Sequence, residues 1–299
     1  MTSRPSESSW FWIFAGPALV GFVAFNLWPM LDSLWLSLCR DEVVTPTVFI
    51  GLRNYAYLFA HDPSFWPSVR VTLVFTAVQV PLAIVAALAL ALLLNQPVRG
   101  RGFWRAVYFL PAILPQAAFA VVFGYIFQAD GGLLNRLLAA GGIAGAAWTT
   151  SPTWALPVLI VVSLWGFGYP MVIFLAGLQN VPRELYEAAH IDGAGAWARF
   201  RHITLPLISP VLLFNVVMGV IGALKVFDLA YAFSVAQAQP SPGGPARATL
   251  FYGLNLYQQA FGYFHMGLAS AMAWVLFAFI LVITALNFRL SRRWVHYGD

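Results

Sequence analysis

Charge is what this sequence has least of. Of its 299 residues only 9% are Asp, Glu, Lys or Arg, while 61% are hydrophobic. A soluble domain averages about 25% charged residues. So few ionic side chains cannot cover a soluble globule of this size, and so much Leu, Val, Ala and Phe does not stay disordered. Lysine is almost missing: Lys225 stands alone against fifteen arginines. A Walker A loop ends in Gly-Lys-Ser/Thr; Lys225 follows Leu224, so a P-loop ATPase is excluded. Cys39 is the single cysteine, which excludes a disulfide framework, a CxxC pair and a thiolate metal site. Neither HExxH nor GxSxG occurs. His61, His190, His202, His265 and His296 have no partner at metal-ligand spacing. The nearest carboxylate pairs, Asp41-Glu42 and Glu184/Glu187, fall in polar segments. No catalytic residue, metal site or cofactor is expected, so the chain reads as a non-enzyme, and any energy source is a gradient or a partner chain.

What the sequence has in quantity is long apolar runs. Six stand out, at about 10–30, 69–94, 106–127, 154–178, 207–230 and 266–288. Each is near or above the ~20 residues a helix needs to cross a bilayer. A transmembrane barrel would show short alternating segments instead. The expected fold is all-α, a polytopic membrane protein of six transmembrane helices. Residues 1–68 carry the first span and an outer loop, 69–288 form the core, and 289–299 are a tail. Trp10, Trp12 and Trp28 flank the first run as an aromatic belt would, so it reads as a retained span.

The arginines set the orientation. With a cytoplasmic N-terminus, the inner segments hold Arg4, Arg99, Arg101, Arg105, Arg183, Arg199, Arg201, Arg289, Arg292 and Arg293, ten in all. The outer segments hold five: Arg40, Arg53, Arg70, Arg136 and Arg247. The positive-inside rule therefore puts both termini in the cytoplasm, and explains the basic balance without nucleic acid. Of the outer loops, 39–68 is interrupted by Pro46, Pro63 and Pro67, 128–153 is rich in Gly and Ala, and AQAQPSPGGPAR at 236–247 is turn-rich.

One inner loop is unusual. Val181 to Pro206 is too long for a simple connection. Pro182 suits a first helical turn, and Glu184 and Glu187 suit its dipole. Leu185, Ala188 and Ala189 share a small-residue face. Asp192-Gly193 stops the helix, with Gly193 free to take positive φ. A second helix places Trp197, Phe200 and Ile203 three apart, and Pro206 leads into the fifth span. The object is a helix–turn–helix on the membrane face. It serves either as an interfacial hairpin or as a docking knob whose Ala and Gly allow close approach.

In the spans, Trp165 and Tyr169 stand four apart beside Gly166, a pairing suited to a sugar ring or to plain bundle packing. Lys225 and Asp228 stand three apart on one face of the fifth span; they line a polar path or snorkel as a pair near the outer interface. Pro111 and Pro115 are expected to kink the third span. Gly267 and Ala271 form a small-xxx-small packing face on the sixth.

Glu187-Ala188-Ala189, Asp192-Gly193-Ala194, Phe200, Ile203 and Leu205-Pro206 match the pattern EAA-x2-DGA-x5-F-x2-I-x-LP at all ten fixed positions. This resembles the EAA loop of binding-protein-dependent type I ABC importer permeases. LKVFDLAYAF (224–233), GLASAMAWVLF (267–277), FIGLRNY (49–55) and LPAILP (110–115) resemble the sugar branch of that family, which includes maltose-type and glycerol 3-phosphate permeases. AQAQPSP before Gly243 departs from the family's shorter turn.

The resemblance implies a type I permease fold in a bacterial-type inner membrane. It implies a second permease subunit, an ATPase subunit dimer and an extracytoplasmic substrate-binding protein as partners. Glu187, Ala188, Ala189, Asp192, Gly193 and Ala194 would then couple to the ATPase through a coupling helix. Trp165, Gly166, Tyr169, Lys225 and Asp228 would be candidates for the path of a sugar or related solute. The competing class is a gradient-driven secondary transporter or channel, which calls for ionisable residues in several spans and a repeat between halves.

Overall fold

The computed structural model describes residues 7–42, 45–97, 99–236 and 243–296; Arg4, the side chain of Trp10 and residues 237–242 of the turn-rich loop lie outside them. Lipid offers no hydrogen bonds, so an apolar run must satisfy its own backbone groups, and helices make up nearly all the regular structure. The chain divides into two compact units, residues 1–62 with 256–278, and 63–255 with 279–299.

In the first unit, α1 (Glu7–Phe22) passes through a π turn into α2 (Trp28–Ser37). Together they give an unbroken apolar span, Phe11–Ser37, that outruns the expected end near residue 30. A short antiparallel ribbon follows, β1 (Cys39–Arg40) and β2 (Val48–Phe49), with Cys39 opposite Phe49. From α3 (Arg53–Ala60), the buried Asn54 amide donates 2.8 Å bonds to the carbonyls of Ser37 and Cys39. Tyr55 Oη donates to Ser37 Oγ at 2.8 Å. Gly267 lies so close to β1 that a Cβ there would collide with the Cys39 carbonyl oxygen, so it packs on the ribbon backbone and not on a helix as its small-residue spacing suggested.

The second unit is built on α4 (Phe65–Asn95), a 31-residue apolar helix. Its buried hydroxyls back-bond along one face: Ser68 to Phe65 O, Thr72 to Ser68 O and Thr76 to Thr72 O, all within 2.8 Å. Thr72 Oγ1 also accepts from Tyr252 N at 2.8 Å. Polar groups buried in this helix are thus paired, as a low-dielectric interior demands. Arg101 caps the end of α4 by donating to Asn95 O and Gln96 O.

The expected third span is two helices, α5 (Arg101–Ile113) and α6 (Gln116–Ile126), bent by 95°. Pro115 explains the site of the break, whereas Pro111, expected to kink the span as well, stands inside α5. The residue before a proline is driven out of the helical region, and Leu114 has ψ 144° before Pro115. Then α7 (Leu133–Ala140) sits in the Gly/Ala-rich loop. There the Asn135 amide donates to Ala129 O (2.8 Å) and Ala146 O (3.0 Å), and Asn135 Oδ1 accepts from Trp148 Nε1 (2.6 Å).

The fourth span is α8 (Ala155–Leu164) and α9 (Gly168–Gln179), bent by 44°. The polar loop follows as α10 (Arg183–Ile191), α11 (Ala196–Arg199) and α12 (Leu205–Leu207), joined by a π turn over Phe200–Thr204. A 68° bend leads into α13 (Ser209–Leu224). The fifth span therefore ends at Leu224, not near residue 230, and α14 (Asp228–Ala236) begins after a three-residue break. α15 (Tyr252–Tyr257) and α16 (Met266–Ser291) complete the order. Among the described residues, three single helices and three bent pairs are long and apolar enough to cross a membrane.

α4 packs along α8, α9 and α13. One apolar cluster gathers Phe75, Val158, Leu159, Phe233 and Phe251; Phe75 and Phe251 meet edge to face at 5.0 Å. A second gathers Ala87, Ala91, Met171, Phe174 and Ile208, where the two alanines, one turn apart and fully buried, let α9 approach α4.

Candidate functional site

The polar loop folds as its residues dictate. Pro182, extended at ψ 131°, stands just before α10; Glu184 lies in the first turn, where its charge matches the helix dipole, and His190 in the last. At the far end Asp192 N bonds Ala188 O (3.0 Å), Gly193 N bonds His190 O (3.1 Å) and Ala194 N bonds Ala189 O (2.8 Å). That closure needs the left-handed backbone of Gly193, φ +76°. A Cβ at Gly193 would have nothing within 4 Å, so only the backbone conformation requires glycine.

No residue of α10 is buried. Glu187, Ala188, Asp192 and Gly193 are exposed and Ala189 and Ala194 half-buried, so the six motif residues share an open hairpin. Apolar side chains stand out among the ionic ones: Ile191 is 86% exposed and Trp197 70%. The hairpin is held from behind. Tyr186 packs against the cluster of Leu94, Val181 and Ile208, and its hydroxyl lies 2.9 Å from that of the buried Thr204. Spacing carries no sign of this tie, because the partners are 18 residues apart and meet only once the hairpin closes.

The second feature is a cleft of about 540 Å³ in the second unit. Three of the four helix breaks reach it: Leu114 between α5 and α6, Gly166 between α8 and α9, and Val226 between α13 and α14; the bend at Ile208 does not. Irregular backbone at membrane depth is tolerated where it lines a cavity. The polar lining is Gln79, Gln116, Ser163, Tyr169 and Asn215; the aromatic lining includes Phe75, Phe167 and Phe214. None of the lining residues is Asp, Glu, Lys or Arg. Asn215, 4% exposed, spends one donor on Val211 O (3.1 Å). The Gln79 amide lines the cleft and has no hydrogen-bond partner among the described residues.

Of the five path candidates read from sequence, Gly166 and Tyr169 line the cleft; Trp165, Lys225 and Asp228 do not. The shared face expected of Trp165 and Tyr169 is not formed. Between Leu164 and Gly168 the backbone bonds run three residues back, not four, so the spacing that would superpose the two rings is lost. Trp165 packs edge-on against Phe123 of α6 (5.8 Å), and Tyr169 against Phe109 of α5 (5.3 Å).

Lys225 and Asp228 also part company. Lys225 caps the end of α13 and Asp228 opens α14, so they do not share one helix face, and among the described residues they form no ion pair. Both are exposed at helix termini whose dipole favours their sign. Gln79, Gln116 and Asn215 were not singled out by sequence reading; an amide on an apolar helix was the available signal.

Residues 79–296 match the family described as the binding-protein-dependent transport system inner membrane component. The chain is similar to the Probable ABC transporter permease protein YesP of Bacillus subtilis, 42% identical over 95% of this chain and 91% of that one. It is similar to the lactose transport system permease protein LacF of Rhizobium radiobacter, 37% identical over 97% and 98%. Among solved structures, a chain of a bacterial alginate ABC transporter, in complex with an alginate pentasaccharide-bound periplasmic protein, superposes with a TM-score of 0.82. That likeness covers 97% of this chain and 96% of the other at 21% identity, and is one of fold. The chain belongs to the family of inner membrane components of binding-protein-dependent transport systems, and is a multi-pass ABC importer permease.

Proposed function

We propose that this permease pairs with a second permease to form the path of an uncharged sugar or related polyhydroxylated solute, delivered by an extracytoplasmic binding protein. The carrying observation is the cleft where three helix breaks converge, lined by amides, hydroxyls and aromatic faces without an ionic group. Amides hydrogen-bond sugar hydroxyls, and ring faces cover the apolar side of a pyranose. An acidic or phosphorylated solute would find no counter-charge there. The lactose permease relative supports the sugar class.

ATP is hydrolysed in this reading by a separate ATPase dimer, and the hairpin 181–206 docks on it. Glu187, Ala188, Ala189, Asp192, Gly193 and Ala194 form the coupling face, with Ile191 and Trp197 as apolar anchors. Closure of the ATPases draws the hairpins of the two permeases together and switches the pair between inward-open and outward-open states. The arginine imbalance supports cytoplasmic termini, which puts the hairpin on the ATPase side. Residues 69–288 serve as the permease core, with the first span and outer loop as an N-terminal addition.

The test is reconstitution of the whole importer in proteoliposomes with its binding protein. Asn215→Ala or Gln79→Ala removes one solute hydrogen bond, and uptake at limiting sugar is expected to fall about tenfold, as for ~1.4 kcal/mol. ATPase activity should persist. Uptake that an ionophore abolishes, or that proceeds without ATP, would assign the chain to gradient-driven transport instead.

A further inference from the structure

The groove at the end of α16 has no part in the reading above. Val282, Ala285, Leu286 and Arg289 of the helix, with Arg292 and Arg293 of the turn that follows it, line an open groove of about 900 Å³. The spacing of three, four and seven puts Val282, Ala285, Leu286 and Arg289 on a single helix face, and the turn adds the other two arginines at its end. The opposite side is turned inward: Ser291 is 5% exposed, whereas Val282 is 57% exposed. Along this face two apolar turns give way abruptly to three guanidinium groups.

Helix ends often carry arginine to neutralise the last carbonyls, but here those of Phe288, Leu290 and Ser291 are already engaged. Ser291 Oγ donates to Phe288 O (2.8 Å), Arg293 N to Leu290 O (3.2 Å), and Trp294 N and Val295 N to Ser291 O (3.0 and 2.9 Å). The side chains of Arg289, Arg292 and Arg293 have no hydrogen-bond or ion-pair partner among the described residues. The turn that presents them is anchored, because His296 N donates to Ser209 Oγ at 2.9 Å. α16 has 26 residues, about 39 Å at 1.5 Å per residue, more than the ~30 Å hydrocarbon layer. A helix of that length is able to carry its basic end beyond the hydrocarbon layer to the lipid phosphates.

We propose that this groove binds an anionic phospholipid, with the phosphate on Arg289, Arg292 and Arg293 and an acyl chain along Val282, Ala285 and Leu286. Guanidinium groups pair with phosphate oxygens in two-pronged fashion, and an apolar wall continuous with the cluster distinguishes a lipid from a free anion. The net positive charge favours phosphatidylglycerol over zwitterionic phosphatidylethanolamine.

The experiment is native mass spectrometry of the assembled transporter released from nanodiscs holding equal phosphatidylglycerol and phosphatidylethanolamine. The wild type is expected to retain phosphatidylglycerol about tenfold over phosphatidylethanolamine, and the R289Q/R292Q/R293Q variant to lose that preference. Ala285→Trp fills the apolar wall without touching charge; it should also lose the adduct, and it answers the question if the triple variant does not insert. Inorganic phosphate should not displace the lipid. Equal retention of both lipids by the wild type, an undiminished adduct in the inserted variants, or displacement by phosphate alone would overturn the proposal.

Discussion

The hydroxyls of Tyr186 and Thr204 meet at 2.9 Å, tying the first helix of the exposed hairpin to the chain that enters α13. Thr204 is buried and Tyr186 lies against the apolar cluster, so this bond is expected to help set the angle at which the hairpin is presented. Tyr186→Phe keeps the ring and removes the bond, worth ~1 kcal/mol. Uptake is expected to fall about fivefold with normal membrane insertion. Immunoblots of membranes beside transport assays check it; full uptake would show that the tie does not position the hairpin.

Gly193 offers a cleaner separation of shape from contact. Its φ is +76° and a Cβ would meet nothing. Gly193→Val should cost ~1–2 kcal/mol in backbone conformation alone, moving Asp192 and Ala194. Gly193→Asn, tolerated in that region, should retain most function. The expected result is ATP hydrolysis without matching uptake for valine and near-normal coupling for asparagine.

Gly168 is a contact problem instead. A Cβ there would lie 2.9 Å from the Tyr108 carbonyl oxygen and 3.0 Å from Ala112 Cβ, where α9 crosses α5. Gly168→Leu should overpack this crossing at a cost of ~1–3 kcal/mol. The aggregation temperature of the detergent-solubilised protein should drop, whereas Gly222→Ala, with open space at its Cβ, should leave it unchanged.

Lys225 and Asp228 do not line the cleft. Each gains only a terminal dipole interaction, ~0.3–1 kcal/mol. The Lys225→Gln/Asp228→Asn double variant is expected to transport within about twofold of wild type. A much larger loss, measured as initial uptake rate, would mean that these charges face the path once the second permease is in place.

Cys39 is buried at 1% exposure beside the Asn54 anchor, and burial, with Asp41 adding, pushes its thiol above the ordinary range. A raised pKa means less thiolate at neutral pH, so the folded protein should resist maleimide and react only after denaturation. Mass spectrometry of labelled protein reads this directly; rapid labelling of the native transporter would show the β1 segment opening.

Much of this molecule was legible in its amino acids because the signals are local. Six apolar runs announce helical segments by length alone, Pro115 announces a break through its own ring, and Asp192-Gly193 announces the hairpin turn through φ. The ten motif residues lie within one stretch of chain, and their geometry follows from that stretch.

The cleft was not legible in the same way. Trp165 and Tyr169 look paired only while the helical ladder is unbroken, and Lys225 and Asp228 likewise. Whether a ladder breaks there depends on what crosses it: α5 at Gly168, and Gly253, whose Cβ would come within 3.0 Å of the Val226 carbonyl oxygen. Gln79 and Asn215, on helices far apart in sequence, become neighbours of one space only when α4, α9 and α13 pack. Composition and local stereochemistry determined that the chain crosses a membrane as helices with one hairpin between them. Tertiary packing decided which backbone stays helical, and so which side chains face the cleft, because a side chain's direction follows a ladder that distant segments complete or interrupt.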